Sequence, residues 1–163
     1  MADLGELLKG LSDAGIEFIL VGGVAAVAQG APIMTYDLDI VHRRTEENVM
    51  KLMTFLSSID ARHRRPDDKL LFPNEADLRG RGHVLLTTRF GPLDVLAVIE
   101  KGLGFEELLP NTVLIEFQGY RINVLNLETI VALKSDSNVS TDPYRLAILK
   151  ETLQQLREEE NGG

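Results

Sequence analysis

The segment 17–41, "EFILVGGVAAVAQGAPIMTYDLDIV", constrains the fold of this chain more than any other. "EFILV" is a continuous apolar run of strand length that stops at Gly22-Gly23, the pattern of a buried strand. The small residues of "VAAVAQ" follow as a short helix able to pack closely on a sheet, halted by Gly30 and Pro32. "YDLDIVH" (36–42) is the second strand. Strand, glycine turn, helix and strand in immediate succession call for a sheet with helices laid against it.

The flanking sequence extends this plan. Leu4, Leu7, Leu8 and Leu11 fall on one helical face, and Gly15 closes that helix. Thr45 with Glu46 and Glu47 behind it is a helix N-cap, and Val49, Leu52, Met53 and Leu56 carry the helix to about Ser58. Between 60 and 81, two prolines and alternating charges predict a long surface connection, of the kind that often carries function. "HVLLTTRF" (83–90) and "LDVLAVI" (93–99) read as strands joined by a tight turn at Gly91-Pro92. "GFEELLP" (104–110) is a helical turn, and "TVLIEF" and "YRINVL" form a hairpin about Gln118-Gly119. Helices over about 127–137 and 143–159 end the chain, the second with Leu146, Leu149, Leu153 and Leu156 spaced for a core or a partner. The expectation is one α/β (α+β) domain over 1–163: a mixed central sheet flanked by helices, with a core over about 1–125 and a C-terminal helical part over about 126–160.

Composition excludes some functions. The 163 residues include no cysteine, which removes disulfide and thiolate chemistry. No apolar run reaches the roughly 20 residues of a membrane span, and the acidic N-terminus is unlike a signal peptide, so a cytoplasmic protein without membrane contact is expected. A net charge of −8 argues against a whole-surface grip on nucleic acid. Locally the sign reverses: seven Lys/Arg stand against four acids between Arg62 and Arg89, which suits a basic rim for an acceptor. Within it Arg89 is expected to point toward the site, while Arg62, Arg64 and Arg65 either join the rim or solvate a loop. His42, His63 and His83 lack metal-ligand spacing and read as surface residues.

Asp37 and Asp39 carry the chemistry. Residues i and i+2 of a strand share a face, with Cα atoms roughly 6.5–7 Å apart, and two such carboxylates repel unless a cation stands between them. They either face water or hold a hard divalent ion with phosphate oxygens. Asp94, within apolar "PLDVLAVI", is either a solvated strand-end residue or a third ligand; were its strand beside the first, the three could hold two ions about 3.5–4 Å apart. Gly22-Gly23 is either a tight turn or a bare backbone cradle for phosphate at a helix start. It matches neither the Walker nor the G-x-G-x-x-G spacing. Lys134 lies on the apolar face of its helix with Leu127, Ile130 and Val131, either snorkelling outward or meeting a partner in a cleft.

Taken together, Gly22-Gly23, then Thr35-x-Asp37-x-Asp39 before Ile40-Val41, then Asp94 in a later strand, resembles the polymerase-beta-like nucleotidyltransferase superfamily. Within it the chain looks most like the minimal nucleotidyltransferases similar to the AbiEii-type abortive-infection toxins, since "NVLNLETIVALK" and the final helix are similar to that group's C-terminal pattern. The resemblance implies a nucleotidyltransferase fold and transfer of a nucleoside monophosphate from an NTP donor to a hydroxyl on RNA, tRNA or protein rather than on a small molecule. It implies Gly22, Gly23, Thr35 and Lys134 as nucleotide-binding residues, with Thr35 orienting Asp37 or touching phosphate. Asp37, Asp39 and Asp94 are implied as catalytic and metal-binding. Two Mg²⁺ ions, or Mn²⁺ in their place, and a cognate antitoxin as partner complete the picture. Ile33 stands where that group carries a basic residue two positions before the threonine, and Ser140-Thr141 precedes Asp142 where a cation is usual. Asp142-Pro143 itself fits a helix N-cap with proline at N1. These missing cations leave open a different class, a regulatory module that keeps the fold with little turnover. A D-x-D phosphatase or sugar transferase fits poorly, since no threonine follows Asp39 in the required pattern.

Overall fold

The computed structural model describes residues 2–67, 69–136 and 142–162. The chain runs α1 (Leu4–Asp13), β1 (Phe18–Val21), α2 (Gly22–Ala28), β2 (Leu38–His42), α3 (Glu46–Ser58), β3 (Arg62–His63), α4 (Glu75–Arg79), β4 (His83–Thr88) and β5 (Gly91–Leu96). After a 3-10 turn at Glu100–Gly102 come α5 (Phe105–Leu108), β6 (Thr112–Phe117), β7 (Tyr120–Leu125), α6 (Leu127–Asp136) and α7 (Pro143–Gly162). The seven strands form one mixed sheet in the order β3-β4-β5-β2-β1-β7-β6. β2 runs parallel to β5 and β1 parallel to β7, whereas β1–β2, β3–β4, β4–β5 and β6–β7 are antiparallel.

The periodicities translate into packing. Leu7, Leu8 and Leu11 of α1 are buried, and Asp3 caps the helix by accepting from the Glu6 N–H. Thr45 accepts from the Asn48 N–H at the start of α3, whose Val49, Leu52, Phe55 and Leu56 enter the core. All four residues of β1 are buried, as its place at the centre of the sheet requires. Gln118 and Gly119 both have positive φ, 48° and 88°, the two-residue turn expected between β6 and β7. Leu149 of α7 is buried, and Leu153 and Leu156 pack against the core, so this stripe faces the chain's own interior. Asp142 caps α7 by accepting from the Tyr144 N–H at 2.9 Å, ahead of Pro143. Ser140 and Thr141 lie outside the described residues.

Four expectations are corrected. The 60–81 connection contains the short strand β3 and the helix α4, which starts with a reciprocal capping box between Asn74 and Asp77. Arg89 and Phe90 make the β4–β5 turn, while Gly91 and Pro92 belong to β5 and pair with Thr88 and Thr87. β2 begins at Leu38, leaving Tyr36 and Asp37 in extended chain before it. His42 is buried: its Nε2 lies 2.7 Å from the Leu78 carbonyl, while its Nδ1 has no partner. Burial lowers its pKa, a shift partly offset by the Leu78 and Leu96 carbonyls and reinforced by the Arg44 charge. Its alternation with Leu38 and Ile40 along β2 puts His42 on the buried face.

Asn48, buried in the first turn of α3, ties this helix to the sheet. Its Oδ1 accepts from the Glu17 N–H at 2.7 Å, and its Nδ2 donates to the carbonyls of Glu17 and Arg43 at 2.9 and 2.7 Å. Asn48→Ala removes three hydrogen bonds beside the entrance to β1, the Glu17 carbonyl keeping only the Arg43 N–H, and should cost about 2–3 kcal/mol, read as a lower midpoint in urea unfolding. A midpoint equal to that of the parent chain would show that water replaces the amide at no cost.

Candidate active site

The strand register assembles the acids. Val21 of β1 pairs with Asp39 of β2, and Asp39 pairs with Asp94 of β5. Asp94 in turn pairs with Leu85 of β4, whose carbonyl accepts from the Arg64 N–H. One row across the sheet therefore carries the end of β1, two carboxylates and an arginine. Asp37 joins from the extended chain before β2, and carboxylate oxygens of Asp37, Asp39 and Asp94 lie within 4.8 Å of one another. The Thr35 hydroxyl donates to the backbone carbonyl of Asp37 at 3.4 Å, so its contact is with the main chain of that residue.

Both glycines are required by close approach. Gly22 has φ of +71°, and a Cβ there would fall 2.2 Å from Oδ2 of Asp39. A Cβ on Gly23 would fall 2.7 Å from the Thr35 hydroxyl and 2.6 Å from Nη2 of Arg145. The turn thus lets bare backbone lie directly against the acids.

Gly22, Gly23 and, of the three acids, Asp39 open onto a cavity of ≈ 540 Å³ between the sheet, α6 and α7. One wall is apolar, with Leu96, Ile99, Leu125, Ile130 and Leu149, while Gly22, Gly23, Asp39, Lys134 and Arg145 supply polar groups. Lys134 is half-buried and pairs with Glu100 at 2.6 Å. Burial pushes the Glu100 carboxyl up, but the Lys134 ammonium outweighs it and holds the group below the usual carboxylate range. Arg145 Nη1 donates to the Met34 carbonyl at 3.0 Å.

Asp39 is the electrostatic focus. Burial, the adjoining Asp94 carboxylate and the Asp37 charge together push its pKa up to about 7, with Lys134 pulling the other way. Its Oδ1 is buried without a hydrogen-bond partner. A buried, unpartnered carboxylate oxygen beside two further carboxylates is the donor set of a hard divalent cation, and the residues present fit one.

Three further residues escaped the sequence pattern. Arg145, 110 positions beyond Thr35, reaches the segment before it from α7 and supplies a cation next to Gly23 where Ile33 and Met34 offer none. Glu100 and its pair with Lys134 depend on the 3-10 turn after β5. Arg64 Nη2 donates to Asp94 Oδ1 and to the Leu86 carbonyl, both at 2.8 Å. Arg145 had a faint signal, as the lone cation in the first turn of the last helix; Arg64 had only its place in a basic stretch. Arg89 does not point toward the acids: it donates to the Ser58 carbonyl and lies over the Phe90 ring. Of the histidines, His83 lines the cavity and His63 lies 3.2 Å from Asp77.

No protein-family model and no curated protein matches the sequence. Solved structures do. The lincosamide antibiotic adenylyltransferase LnuA, lincomycin-bound, superposes with a TM-score of 0.61 at 13% identity, over 91% of this chain and 95% of that one. ANT(2'')-Ia in complex with adenylyl-2''-tobramycin gives 0.58 at 13% identity, over 96% and 89%. A candidate nucleotidyltransferase from Thermotoga maritima gives 0.51 at 17% identity, over 100% and 97%. At such identities the likeness is one of fold, and the chain has the nucleotidyltransferase fold.

The crowding of acids has a stability consequence. The folded-state pKa of Asp39, about 7, lies above the ordinary 3.8, so folding takes up a proton between these values and this group's contribution falls as pH rises from about 4 to about 7. Asp39→Asn removes the charge and should stabilise the metal-free chain by about 1–2 kcal/mol at pH 8, with the gain vanishing near pH 4. Urea unfolding at the two pH values measures it, and a gain independent of pH would refute the repulsion. Gly22→Ala should act oppositely, costing about 1–3 kcal/mol through its positive φ and the Asp39 clash.

Proposed function

We propose that this chain is a Mg²⁺-dependent nucleotidyltransferase that moves a nucleoside monophosphate from a nucleoside triphosphate to a hydroxyl of RNA, including a tRNA end, or of protein. The observation that carries the proposal is the convergence of Asp37, Asp39 and Asp94, with an unpartnered Asp39 oxygen, against the bare backbone of Gly22. Asp37, Asp39 and Asp94 would hold the ions, two Mg²⁺ or Mn²⁺ in their place, whose charge neutralises the triphosphate and polarises the α-phosphate.

The residues divide the remaining work. The apolar lining of the cavity takes the nucleoside, Gly22 and Gly23 let the phosphates lie against bare backbone, and the Thr35 hydroxyl stands beside Gly23 to meet them. Lys134 exchanges Glu100 for phosphate, and Arg145 supplies the second cation on this side. The acceptor hydroxyl oxygen attacks the α-phosphorus and forms the new P–O bond. The bond to the bridging oxygen breaks, and pyrophosphate leaves with the electron pair. Asp94, on the side of the site nearest β4, receives the hydroxyl proton. Positioning and charge neutralisation supply most of the rate.

The resemblance to abortive-infection toxins adds the role of toxin in a toxin–antitoxin pair, with a cognate antitoxin as partner. A second reading, a weakly active or inactive regulatory module on the same fold, draws support from one contact: Arg64 already occupies Asp94.

The test offers the protein Mg²⁺, each α-labelled nucleoside triphosphate in turn and a cell lysate, beside Asp37→Ala/Asp39→Ala. Label should be transferred by the parent chain alone, with at least a 100-fold loss in the variant. Sorting the label into RNA, protein and small-molecule fractions identifies the acceptor. Label only in small molecules would overturn the macromolecular acceptor, and absence of both transfer and Mg²⁺-dependent nucleotide binding would favour the regulatory module.

A further inference from the structure

A second cavity, ≈ 250 Å³, lies beyond Asp94 at the β3 edge of the sheet. Among the described residues its walls carry four cations, Arg62, Arg64, Arg65 and Lys69, against one carboxylate, Asp67, in a chain whose net charge is −8. Asp67 pairs with Arg65 at 2.9 and 2.8 Å, which leaves Arg62, Arg64 and Lys69 outside that pair. Such a reversal of sign, confined to one concavity, is the chemistry of an anion site. Arg64 belongs to two sites at once: it forms part of this basic wall, and its Nη2 holds Asp94 Oδ1 at 2.8 Å. The ion pair is sheltered, with Asp94 only 15% exposed and Arg64 35%. While it stands, one of the three converging carboxylates is engaged by a guanidinium and cannot fully serve a cation.

We infer that this basic cavity is the subsite for a phosphate group carried by the acceptor, and that a phosphate bound there draws the Arg64 guanidinium off Asp94 and frees that carboxylate. The inference rests on the transferase reading above for the word acceptor alone; the anion site and its coupling to Asp94 stand on Arg64. Arg64 can exchange a carboxylate for a phosphate without losing charge compensation, since both accept paired N–H donors from a guanidinium. The exchange is a coupling between two sites and is therefore reciprocal: phosphate in the cavity tightens cation binding at the acids, and the cation tightens phosphate binding by the same factor. A chain lacking its acceptor keeps Asp94 occupied, which limits idle hydrolysis of the donor triphosphate. The phosphate can come from the backbone of an RNA strand or from a small phosphorylated alcohol.

Two measurements on the full chain test this without any turnover. With metal chelated, a fluorescein-labelled eight-nucleotide oligoribonucleotide and, separately, glycerol 3-phosphate are titrated in low salt, with uridine as the phosphate-free control. Arg62→Glu/Lys69→Glu, which leaves the three acids and the donor cavity untouched, should weaken the phosphate-bearing probe at least 10-fold. Glycerol 3-phosphate matching the oligonucleotide assigns the subsite to a small acceptor, tighter binding of the oligonucleotide assigns it to an RNA strand, and either supports a phosphate site. Equal binding to parent and variant, or binding of uridine as tight as that of the phosphates, overturns it.

In the second measurement Mn²⁺ is titrated calorimetrically. The bound probe should raise the Mn²⁺ affinity of the parent chain about 3–10-fold, and Arg64→Met should show that raised affinity without probe and gain nothing from it. Unchanged or weaker Mn²⁺ binding in Arg64→Met, in a variant that unfolds at the parent's urea midpoint, overturns the coupling. Nucleoside triphosphate binding separates the two proposals: its absence from both chains defeats the transferase reading, while its presence together with phosphate-probe binding that the charge reversal leaves unchanged defeats this one.

Discussion

The parallel pairing of β2 with β5 in the register that sets Asp39 opposite Asp94 is the constraint on which the rest of the site depends. Side chains alternate along a strand, so a slip of one residue in either partner would send one carboxylate to the other face of the sheet and bring Ile40 or Val95 to the cavity. What prevents the slip is hydrophobic. Leu38, Ile40, Leu93 and Val95 flank the two acids and are fully buried, and moving any of them out of the core into the row of charged groups would forfeit about 1.5–3 kcal/mol. The acids are thus forced together by their neighbours, against their mutual repulsion. The raised pKa of Asp39 reflects its burial first and this opposition second.

Around this row the chain distributes its countercharges over widely separated segments. Lys134 comes from α6, Arg145 from α7 and Arg64 from the end of β3, and each is held by a second partner: Glu100, the Met34 carbonyl and the Leu86 carbonyl. None of these contacts neutralises the buried oxygen of Asp39, which remains without a donor. The cations stand around the acids without neutralising their centre, where the three carboxylates converge in a set that could hold a divalent cation.

Much of this arrangement was legible in the sequence because it is local or periodic. The Gly22-Gly23 turn, the D-x-D pair, the apolar run around Asp94 and the hairpin at Gln118-Gly119 each lie within one or two elements, where spacing fixes the direction of a side chain. The misreadings arose where long-range pairing decides. Proline and charge between 60 and 81 hide β3 because a two-residue strand has no periodicity of its own and exists only through β4. Gly91-Pro92 looked like a turn, yet pairing with Thr87 and Thr88 extends β5 through both and moves the turn to Arg89-Phe90, which carries Arg89 away from the acids. Arg145 was beyond reach for the same reason: its role follows from the docking of α7, and no spacing rule links position 145 to position 34.

That docking explains how the fold tolerates Ile33 and Met34 in place of a cation. A charge supplied from the segment before Thr35 would be local and independent of the C-terminal helices. Supplied from α7, it requires Leu149 to be seated in the core, the Asp142 cap to start the helix, and α7 to pack against α6. Gly23 completes the dependence, since any side chain there would meet the Arg145 guanidinium and the Thr35 hydroxyl together. The cavity is consequently shared between the sheet and the C-terminal helices: the sheet presents Asp39, and α6 and α7 present Lys134 and Arg145. Loss of α7 packing would leave the acids in register and remove the cation beside the glycine turn; under the function proposed above, divalent cation binding should therefore outlast nucleotide binding as the C-terminal helix is loosened.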